Sequence, residues 1–129
     1  KMLENAKTPE EVANIIKASC RDTDIASRYG GEEFTIMLAD TGKEEAMMVA
    51  ERIRSKIENY DFKYEDQHLH VTISGGVSVF DTESNPISSP KNLVNQADMG
   101  LYVSKRSGRN KITYFEPEEN QVENLEEDV

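Results

Sequence analysis

The sequence predicts an α+β fold in which helices flank a mostly antiparallel sheet. Three stretches carry apolar residues at intervals of three and four, which is the spacing of one helix face. Short runs in which apolar and polar residues alternate lie between them, as is typical of strands. The resulting order is helix, hairpin, helix, strands, helix and strand, which favours helices layered on a sheet. A chain of 129 residues, 36% of them hydrophobic, suffices for one such domain.

The first helix is predicted to begin at the segment Thr8-Pro9-Glu10-Glu11. Thr8 would cap the helix, and Pro9 would take the first helical position, where a missing N–H costs little. Glu11 would then close a capping box with Thr8. The buried face of this helix is predicted to consist of Val12, Ile15, Ile16 and Ser19.

A β-hairpin is predicted next, with Asp24–Tyr29 and Phe34–Leu38 as its extended arms. The pair Gly30-Gly31 joins the arms, because glycine adopts the positive φ of tight hairpin turns at little cost. Alternate residues from Phe34 onward should face the helices. The pair Glu32-Glu33 follows the turn, and two such charges repel unless a cation or a substrate neutralises them. These residues alone leave two interpretations open, a ligand site at the bend or a tight turn with solvated acids.

The second half of the chain is predicted to hold two further helices. The first, of about sixteen residues, should follow a capping box that starts at Thr41. The second should begin at Ser89-Pro90 and end at Gly108, where left-handed backbone geometry is wanted. Strands are predicted at Phe62–Tyr64, His68–Phe80 and Lys111–Phe115.

Five segments together resemble the GGDEF family, the diguanylate cyclases. The hairpin segment Arg28–Phe34 resembles the family signature in its GGEEF form. The other four are similar to the RxxD, TISIGV, ADxALY and KxxGRN motifs and keep the family's order: Arg21–Asp24, Val71–Val77, Ala97–Tyr102 and Lys105–Asn110. The resemblance covers about residues 10 to 115. Small departures from it are the glycine pair Gly75-Gly76, Gly100 and Ser104.

The resemblance implies a nucleotide-cyclase palm of ferredoxin-like architecture. It also implies an enzyme that condenses two GTP molecules into cyclic di-GMP with release of pyrophosphate. Catalysis would then need a homodimer and Mg²⁺ or Mn²⁺. By the same resemblance Glu32 is the metal ligand, Glu32 and Glu33 are catalytic, and the substrate-binding residues are Gly30, Gly31, Lys105 and Arg109. Without the resemblance, the two basic residues would also suit the negative end of a helix dipole.

A second site is implied at Arg21 and Asp24, which match the family's inhibitory motif for bound product. Arg52, on the next helix, matches a further product-binding arginine. Arginine can make two parallel hydrogen bonds to a phosphate or to the edge of guanine, and a carboxylate accepts hydrogen bonds from guanine N–H groups. The alternative is a solvated ion pair beside a strand. If only this second site works, the chain is a non-catalytic regulatory module that binds cyclic di-GMP.

Two features depart from a complete family domain. The family's first strand, which carries a metal-binding aspartate, has no counterpart in this sequence. Residues 1–115 are therefore interpreted as a partial, N-terminally truncated GGDEF domain, and this fragment alone is expected to be inactive. Residues 116–129 are interpreted as an acidic, mobile tail with seven acids. Without this tail the net negative charge of the chain is reduced from −10 to −3.

Composition limits the partners and the location. No basic stripe with interleaved aromatic residues occurs, so a nucleic-acid polymer is not an expected partner. No apolar run approaches the ~20 residues that span a bilayer, so membrane or sensor domains are expected only outside this chain. A lone Cys20 cannot form an internal disulfide, which suits a reducing compartment. These observations predict a cytoplasmic domain, with a larger membrane-attached sensor protein as one setting for it.

Overall fold

The computed structural model describes residues 7–28, 33–86 and 89–117. In this part of the chain the elements follow the order α1 (Lys7–Ala18), β1 (Ile25–Arg28), β2 (Phe34–Met37), α2 (Lys43–Glu58), β3 (Phe62–Tyr64), β4 (Gln67–Leu69), β5 (Gly75–Val77), α3 (Pro90–Arg106) and β6 (Ile112–Tyr114). The alternation of helices and strands agrees with the predicted α+β class. Among these helices, not one has the length and apolar content needed to cross a membrane.

The strands of the described segments pair as three two-stranded sheets. The pairs β1–β2 and β3–β4 are antiparallel, whereas β5 and β6 run parallel. The parallel pair follows from the path of the chain, because α3 crosses between the two strands and returns the chain in the same direction. The strand predicted over His68–Phe80 is too long, since β4 ends at Leu69 and β5 covers only Gly75–Val77.

The hydrophobic core lies between α1, α2 and the β3–β4 hairpin. Its buried members are Val12, Ile16, Ile53, Ile57, Phe62, Leu69 and Val71. Phe34 and Ile36 of β2 pack against this cluster, while Met37 points outward and is 46% exposed. The predicted facing of alternate residues in β2 is therefore confirmed, and the core fixes the orientation of the β1–β2 hairpin.

Of the three predicted helix N-caps, the structure has one. The predicted cap Thr8 is wrong, because α1 already includes Lys7 and Thr8 lies within the helix. The cap at Thr41 is also wrong, since Gly42 is the N-cap of α2 and makes no side-chain capping bond. The Thr41 hydroxyl instead donates to the Ala39 carbonyl oxygen at 2.7 Å. Ser89 does cap α3, because its side chain accepts a hydrogen bond from the backbone N–H of Asn92.

The β1–β2 hairpin is formed as predicted, and its pairing is described up to the residues that flank the turn. Ile25 pairs with Met37 at one end, and Arg28 pairs with Phe34 at the other. The predicted turn residues, Gly30 and Gly31, lie outside the described residues together with Glu32.

The helix α3 packs directly on the backbone of β5 and β6. An alanine Cβ at Gly76 would lie 2.0 Å from the carbonyl oxygen of Ala97 and 2.3 Å from the backbone nitrogen of Leu101. A Cβ at Gly100 would lie 2.7 Å from the carbonyl oxygen of Thr113. Gly76 and Gly100 are thus places where helix and strand approach too closely for a side chain, whereas a Cβ at Gly75 would meet the Ile112 side chain of the neighbouring strand at 2.8 Å.

Ser104, the third departure, completes this contact. Its side chain is fully buried, and its hydroxyl donates to the Gly75 carbonyl oxygen at 2.8 Å. The same hydroxyl lies 2.7 Å from the Thr113 hydroxyl. A buried hydroxyl with two partners is satisfied, so Ser104 ties α3 to both strands of the parallel pair.

Beyond β6, the first residue of the predicted acidic tail contacts α2. Lys43 donates to the Glu116 carboxylate at 3.4 Å, and its ammonium group lies 4.5 Å from the centre of the Tyr114 ring. Both groups of this ion pair are about half exposed, so the contact contributes little to stability. The rest of the predicted tail, residues 118–129, lies outside the described residues.

Candidate functional site

The described end of the β1–β2 hairpin carries one of the predicted catalytic acids. Glu33 is exposed and immediately precedes β2. On the paired strand, the Arg28 guanidinium lies 6.0 Å from the centre of the Phe34 ring. Gly30, Gly31 and Glu32 fall between these two points and outside the described residues. The hairpin thus brings Glu33 to the end of a pair of strands that the core holds in place.

Carboxylate oxygens, such as those of the hairpin acids, are the type of ligand that a hard divalent cation prefers. Mg²⁺ is bound by carboxylate oxygens, commonly one or two of them together with substrate phosphates. Within residues 7–28, 33–86 and 89–117, no three His, Cys, Asp or Glu side chains form a cluster that could hold a metal ion. Glu32, the predicted metal ligand, lies outside these residues, and Glu33 beside it is the predicted second catalytic acid.

The predicted phosphate-binding residues follow each other at the end of α3. Lys105 lies in the last helical turn and Arg109 three residues beyond the helix end, and both side chains are exposed. Gly108 has a φ of +118°, which confirms the left-handed residue predicted there. The backbone N–H of Arg109 donates to the Ser104 carbonyl oxygen at 2.9 Å, and this bond closes the helix end. The described residues form no ion pair with Lys105 or Arg109 at this end of the helix.

Next to Arg109, Asn110 joins a polar cluster that the sequence did not predict as part of the site. Its amide oxygen accepts from Arg54 Nη1 at 2.8 Å, and its amide nitrogen donates to Glu58 Oε2 at 2.9 Å. Its backbone N–H donates to the Ser74 hydroxyl at 3.0 Å. The spacing of Arg54 and Glu58 at i and i+4 was visible in the sequence, but their contact with Asn110 was not.

The predicted inhibitory pair, Arg21 and Asp24, is held together in a turn before β1. Asp24 Oδ2 accepts from the backbone N–H of Arg21 at 2.8 Å and from Arg21 Nε at 3.3 Å, while Oδ1 lies 3.2 Å from Arg21 Nη2. The Asp24 side chain is only 3% exposed, and that of Arg21 is 50% exposed. The hydrogen bonds from the Arg21 side chain lower the pKa of Asp24. The carboxylate is therefore a buried anchor for a half-exposed guanidinium.

Further contacts fix the direction of the Arg21 side chain. Its Nη2 donates to the Ala39 carbonyl oxygen at 2.9 Å and to the Thr41 hydroxyl at 2.7 Å. Its Nη1 lies 3.9 Å from the Glu45 carboxylate on α2. Sequence reasoning missed Thr41 as a partner because it assigned that hydroxyl to the helix cap. The result is a guanidinium with one edge used inside the fold and Nη1 left at the surface.

Arg52, the third predicted product-binding residue, lies on α2 and is exposed. It follows Glu45 by seven residues, which places it about two turns, or roughly 10 Å, further along the same side of the helix. An open groove of about 820 Å³ runs beside it and is lined by Lys43, Glu44, Met47, Met48, Glu51, Arg52, Ser55 and Ile112. Met48 is 64% exposed, so the groove combines an apolar surface with a cation.

Comparison with known proteins gives the same family over most of the chain. A family model described as diguanylate cyclase, GGDEF domain, matches residues 10–111. Diguanylate cyclase A of Treponema denticola is 48% identical over 104 residues, which are 81% of this chain and 27% of that protein. The chain thus spans about a quarter of that relative's length.

Solved structures share the fold. The GGDEF domain of DgcB from Caulobacter crescentus, solved in complex with c-di-GMP, matches with a TM-score of 0.76 and 27% identity, over 84% of this chain and 63% of that one. The active GGEEF domain of a diguanylate cyclase from Vibrio cholerae matches with a TM-score of 0.71 and 27% identity, over 84% of this chain and 67% of that one.

Proposed function

This chain belongs to the GGDEF family of diguanylate cyclases, and from that membership we propose that it is part of the catalytic domain of an enzyme that condenses two GTP molecules into cyclic di-GMP. The observation that carries the proposal is the family match over residues 10–111, which includes the whole of the Arg28–Phe34 and Lys105–Asn110 segments. Because the chain spans 27% of the length of its Treponema relative, the activity is proposed for the full-length protein. We propose that this reaction takes place in the cytoplasm.

In the proposed reaction, the 3′-hydroxyl oxygen of each GTP attacks the α-phosphorus of the other. A new P–O bond forms, the bond to the β-phosphate oxygen breaks, and pyrophosphate leaves. The step occurs twice for each cyclic di-GMP, so two copies of the domain must face each other with one GTP apiece. Glu33, which is exposed at the end of the hairpin, would accept the proton that the 3′-hydroxyl loses.

The remaining residues bind and neutralise the triphosphate. Glu32 would hold Mg²⁺ or Mn²⁺, and the ion would offset the negative charge that develops on the phosphate oxygens. The glycine pair Gly30-Gly31 provides backbone without side chains, against which the nucleotide can lie. Lys105 and Arg109 supply cationic donors for phosphate oxygens, since both are exposed near the end of α3.

Incubation of the full-length protein with GTP and Mg²⁺, followed by chromatography of the nucleotides, tests this proposal. We expect cyclic di-GMP to accumulate with two pyrophosphates released for each molecule. GTP left untouched under every activating condition tried would reject the cyclase assignment.

We further propose that Arg21, Asp24 and Arg52 bind the product and inhibit the enzyme. The buried Asp24 carboxylate holds Arg21 in one orientation. Arg21 Nη1 lies 3.9 Å from the exposed Glu45 carboxylate, and a phosphate or a guanine edge would take the place of this surface ion pair. Arg52 adds a second cation beside the apolar wall of the groove on α2, where a base can lie against Met48. The GGDEF domain of Caulobacter crescentus DgcB, whose structure contains c-di-GMP, supports this proposal.

We expect Arg21→Ala to weaken cyclic di-GMP binding at least about tenfold, because a hydrogen bond to a charged group contributes roughly 1.5–3 kcal/mol. Calorimetry of the full-length protein with cyclic di-GMP, without GTP or Mg²⁺, measures the effect. Arg106→Ala is the matched control, since Arg106 is an exposed arginine whose contact is with Tyr102 on α3. An unchanged affinity in Arg21→Ala would reject the assignment.

A second candidate function is a non-catalytic module that binds cyclic di-GMP and acts through a partner. The observation that favours it is the formed geometry around Arg21 and Asp24, whose described contacts do not include the predicted catalytic acid Glu33. The two assays above separate the candidates. A cyclase converts GTP, whereas a binding module leaves GTP intact and still binds cyclic di-GMP in a manner that Arg21→Ala weakens.

A further inference from the structure

The backbone at the end of α3 is unusual around the proposed phosphate ligand. Three successive residues have positive φ: Gly108 at +118°, Arg109 at +63° and Asn110 at +49°. Glycine accepts such values freely and asparagine tolerates them, but arginine adopts them rarely. Arg109 therefore needs support from its neighbours to keep this conformation, and the conformation determines where its side chain starts.

The neighbour that supports Arg109 is Asn110, which is itself held by α2 and by the residue before β5. Its side-chain amide accepts from Arg54 Nη1 at 2.8 Å and donates to Glu58 Oε2 at 2.9 Å, so both ends of the amide are used by α2. Its backbone N–H donates to the hydroxyl of Ser74, which precedes β5, at 3.0 Å. The Asn110 amide matches these partners because Arg54 is a donor for its oxygen and Glu58 is an acceptor for its nitrogen.

The partners of Asn110 are themselves held in place on α2. Arg54 Nε donates to Glu51 Oε1 at 2.9 Å and Arg54 Nη1 to Glu58 Oε1 at 2.8 Å. The Arg54 side chain is only 15% exposed. The hydrogen bond from Arg54, and to a smaller extent the one from Asn110, lowers the pKa of Glu58. The Glu58 carboxylate therefore stays charged and can accept from both residues. Glu51, Arg54 and Glu58 thus present a fixed donor and a fixed acceptor to Asn110.

We propose that Arg54, Glu58 and Asn110 form a positioning network that sets the orientation of Arg109 toward the substrate's phosphates. The inference rests on the proposed function, in which Arg109 contacts phosphate. On the N-terminal side, the Arg109 N–H is fixed by the Ser104 carbonyl oxygen at 2.9 Å. On the C-terminal side, Asn110 is fixed by α2 and Ser74. The Arg109 backbone is clamped on both sides while its side chain stays exposed.

Asn110→Gly separates positioning from backbone strain, because glycine keeps the positive φ but removes the amide. The probe is α,β-methylene GTP, which cannot release pyrophosphate, and its affinity for the full-length protein with Mg²⁺ is measured by calorimetry. We expect Asn110→Gly to weaken binding about fivefold, and to have no further effect once Arg109 is alanine, since groups that act through one contact are non-additive. Asn59→Gly is the matched control, because Asn59 ends α2 and its side chain bonds to Ser55 of the same helix.

Glu58→Gln tests the same network without altering the loop. Glutamine keeps the shape but has one acceptor oxygen where Glu58 accepts from two donors, Arg54 and Asn110. We expect it to reproduce the loss seen in Asn110→Gly, so the test stands even if one variant fails to fold.

The outcomes distinguish the two proposals. An unchanged affinity in Arg109→Ala overturns the proposed role of Arg109 and the network with it. If Arg109→Ala weakens binding but Asn110→Gly and Glu58→Gln both leave the affinity unchanged, the network alone is overturned. The same holds if the losses in these two variants add to the loss in Arg109→Ala. A non-additive loss supports it, because a general loss of structure would weaken binding whether or not Arg109 is present.

Discussion

Replacing Gly76 with alanine is expected to destabilise the folded protein by about 3 kcal/mol or more, the upper end of what an overpacked core costs. The new methyl group would lie 2.0 Å from the Ala97 carbonyl oxygen and 2.3 Å from the Leu101 backbone nitrogen. Both atoms belong to the backbone of α3, which cannot rotate away as a side-chain tip can. The helix would have to move off β5, and the bond between the Ser104 hydroxyl and the Gly75 carbonyl oxygen would break. Urea unfolding followed by circular dichroism measures the loss.

Gly42→Ala is the control for this prediction. In the described part of the chain, no heavy atom outside its chain neighbours lies within 4 Å of a Cβ built at Gly42, so the added methyl group meets open space. As the N-cap of α2, Gly42 is a position where alanine is less favourable, and a loss of up to about 1 kcal/mol is expected there. If Gly76→Ala unfolds at the same urea concentration as Gly42→Ala, the close approach of α3 to β5 is wrong.

A local sequence signal is sufficient for a helix cap only where no tertiary partner competes for the side chain. Ser89 was predicted as a helix cap and is one, because its side chain accepts from the N–H of Asn92. Thr41 carries an equally suitable hydroxyl, but that group contacts Arg21 and the Ala39 carbonyl oxygen instead. Arg21 is twenty residues away in sequence, so the competition between these partners is a tertiary effect that a capping pattern cannot register.

The candidate site divides in the same way. The motifs identified Lys105, Arg109 and the Arg21–Asp24 pair, because each has a characteristic spacing from its neighbours. The contact of Asn110 with Arg54 joins residues 56 positions apart and depends on how α2 lies against the end of α3. Likewise the need for glycine at Gly76 is set by the distance between a helix and a strand, which no local pattern reveals.

Glu32→Gln is expected to lower cyclic di-GMP synthesis by the full-length protein roughly a thousandfold or more. A metal ion contributes several kcal/mol to the stabilisation of transition-state charge, and each ~1.4 kcal/mol is a factor of ten in rate. Glutamine keeps the volume of the side chain but removes the charge that attracts the cation, so unfolding by urea should be unchanged. Initial rates of GTP conversion at saturating Mg²⁺ measure the effect.

Two further variants make the result specific. Glu83→Gln, an exposed acid in the loop after β5, is the control and should retain the full rate, since it removes a charge far along the chain from the hairpin. Glu33→Gln should reduce the rate by a smaller factor, because general base catalysis contributes about 10²–10⁴-fold and the metal would remain bound. Binding of cyclic di-GMP should stay intact in all three variants, since the Arg21–Asp24 pair is held by its own contacts. If Glu32→Gln kept a rate within tenfold of the wild type while Glu33→Gln lost it, the metal would have to be assigned to the second acid, and the proton acceptor would have to be sought elsewhere.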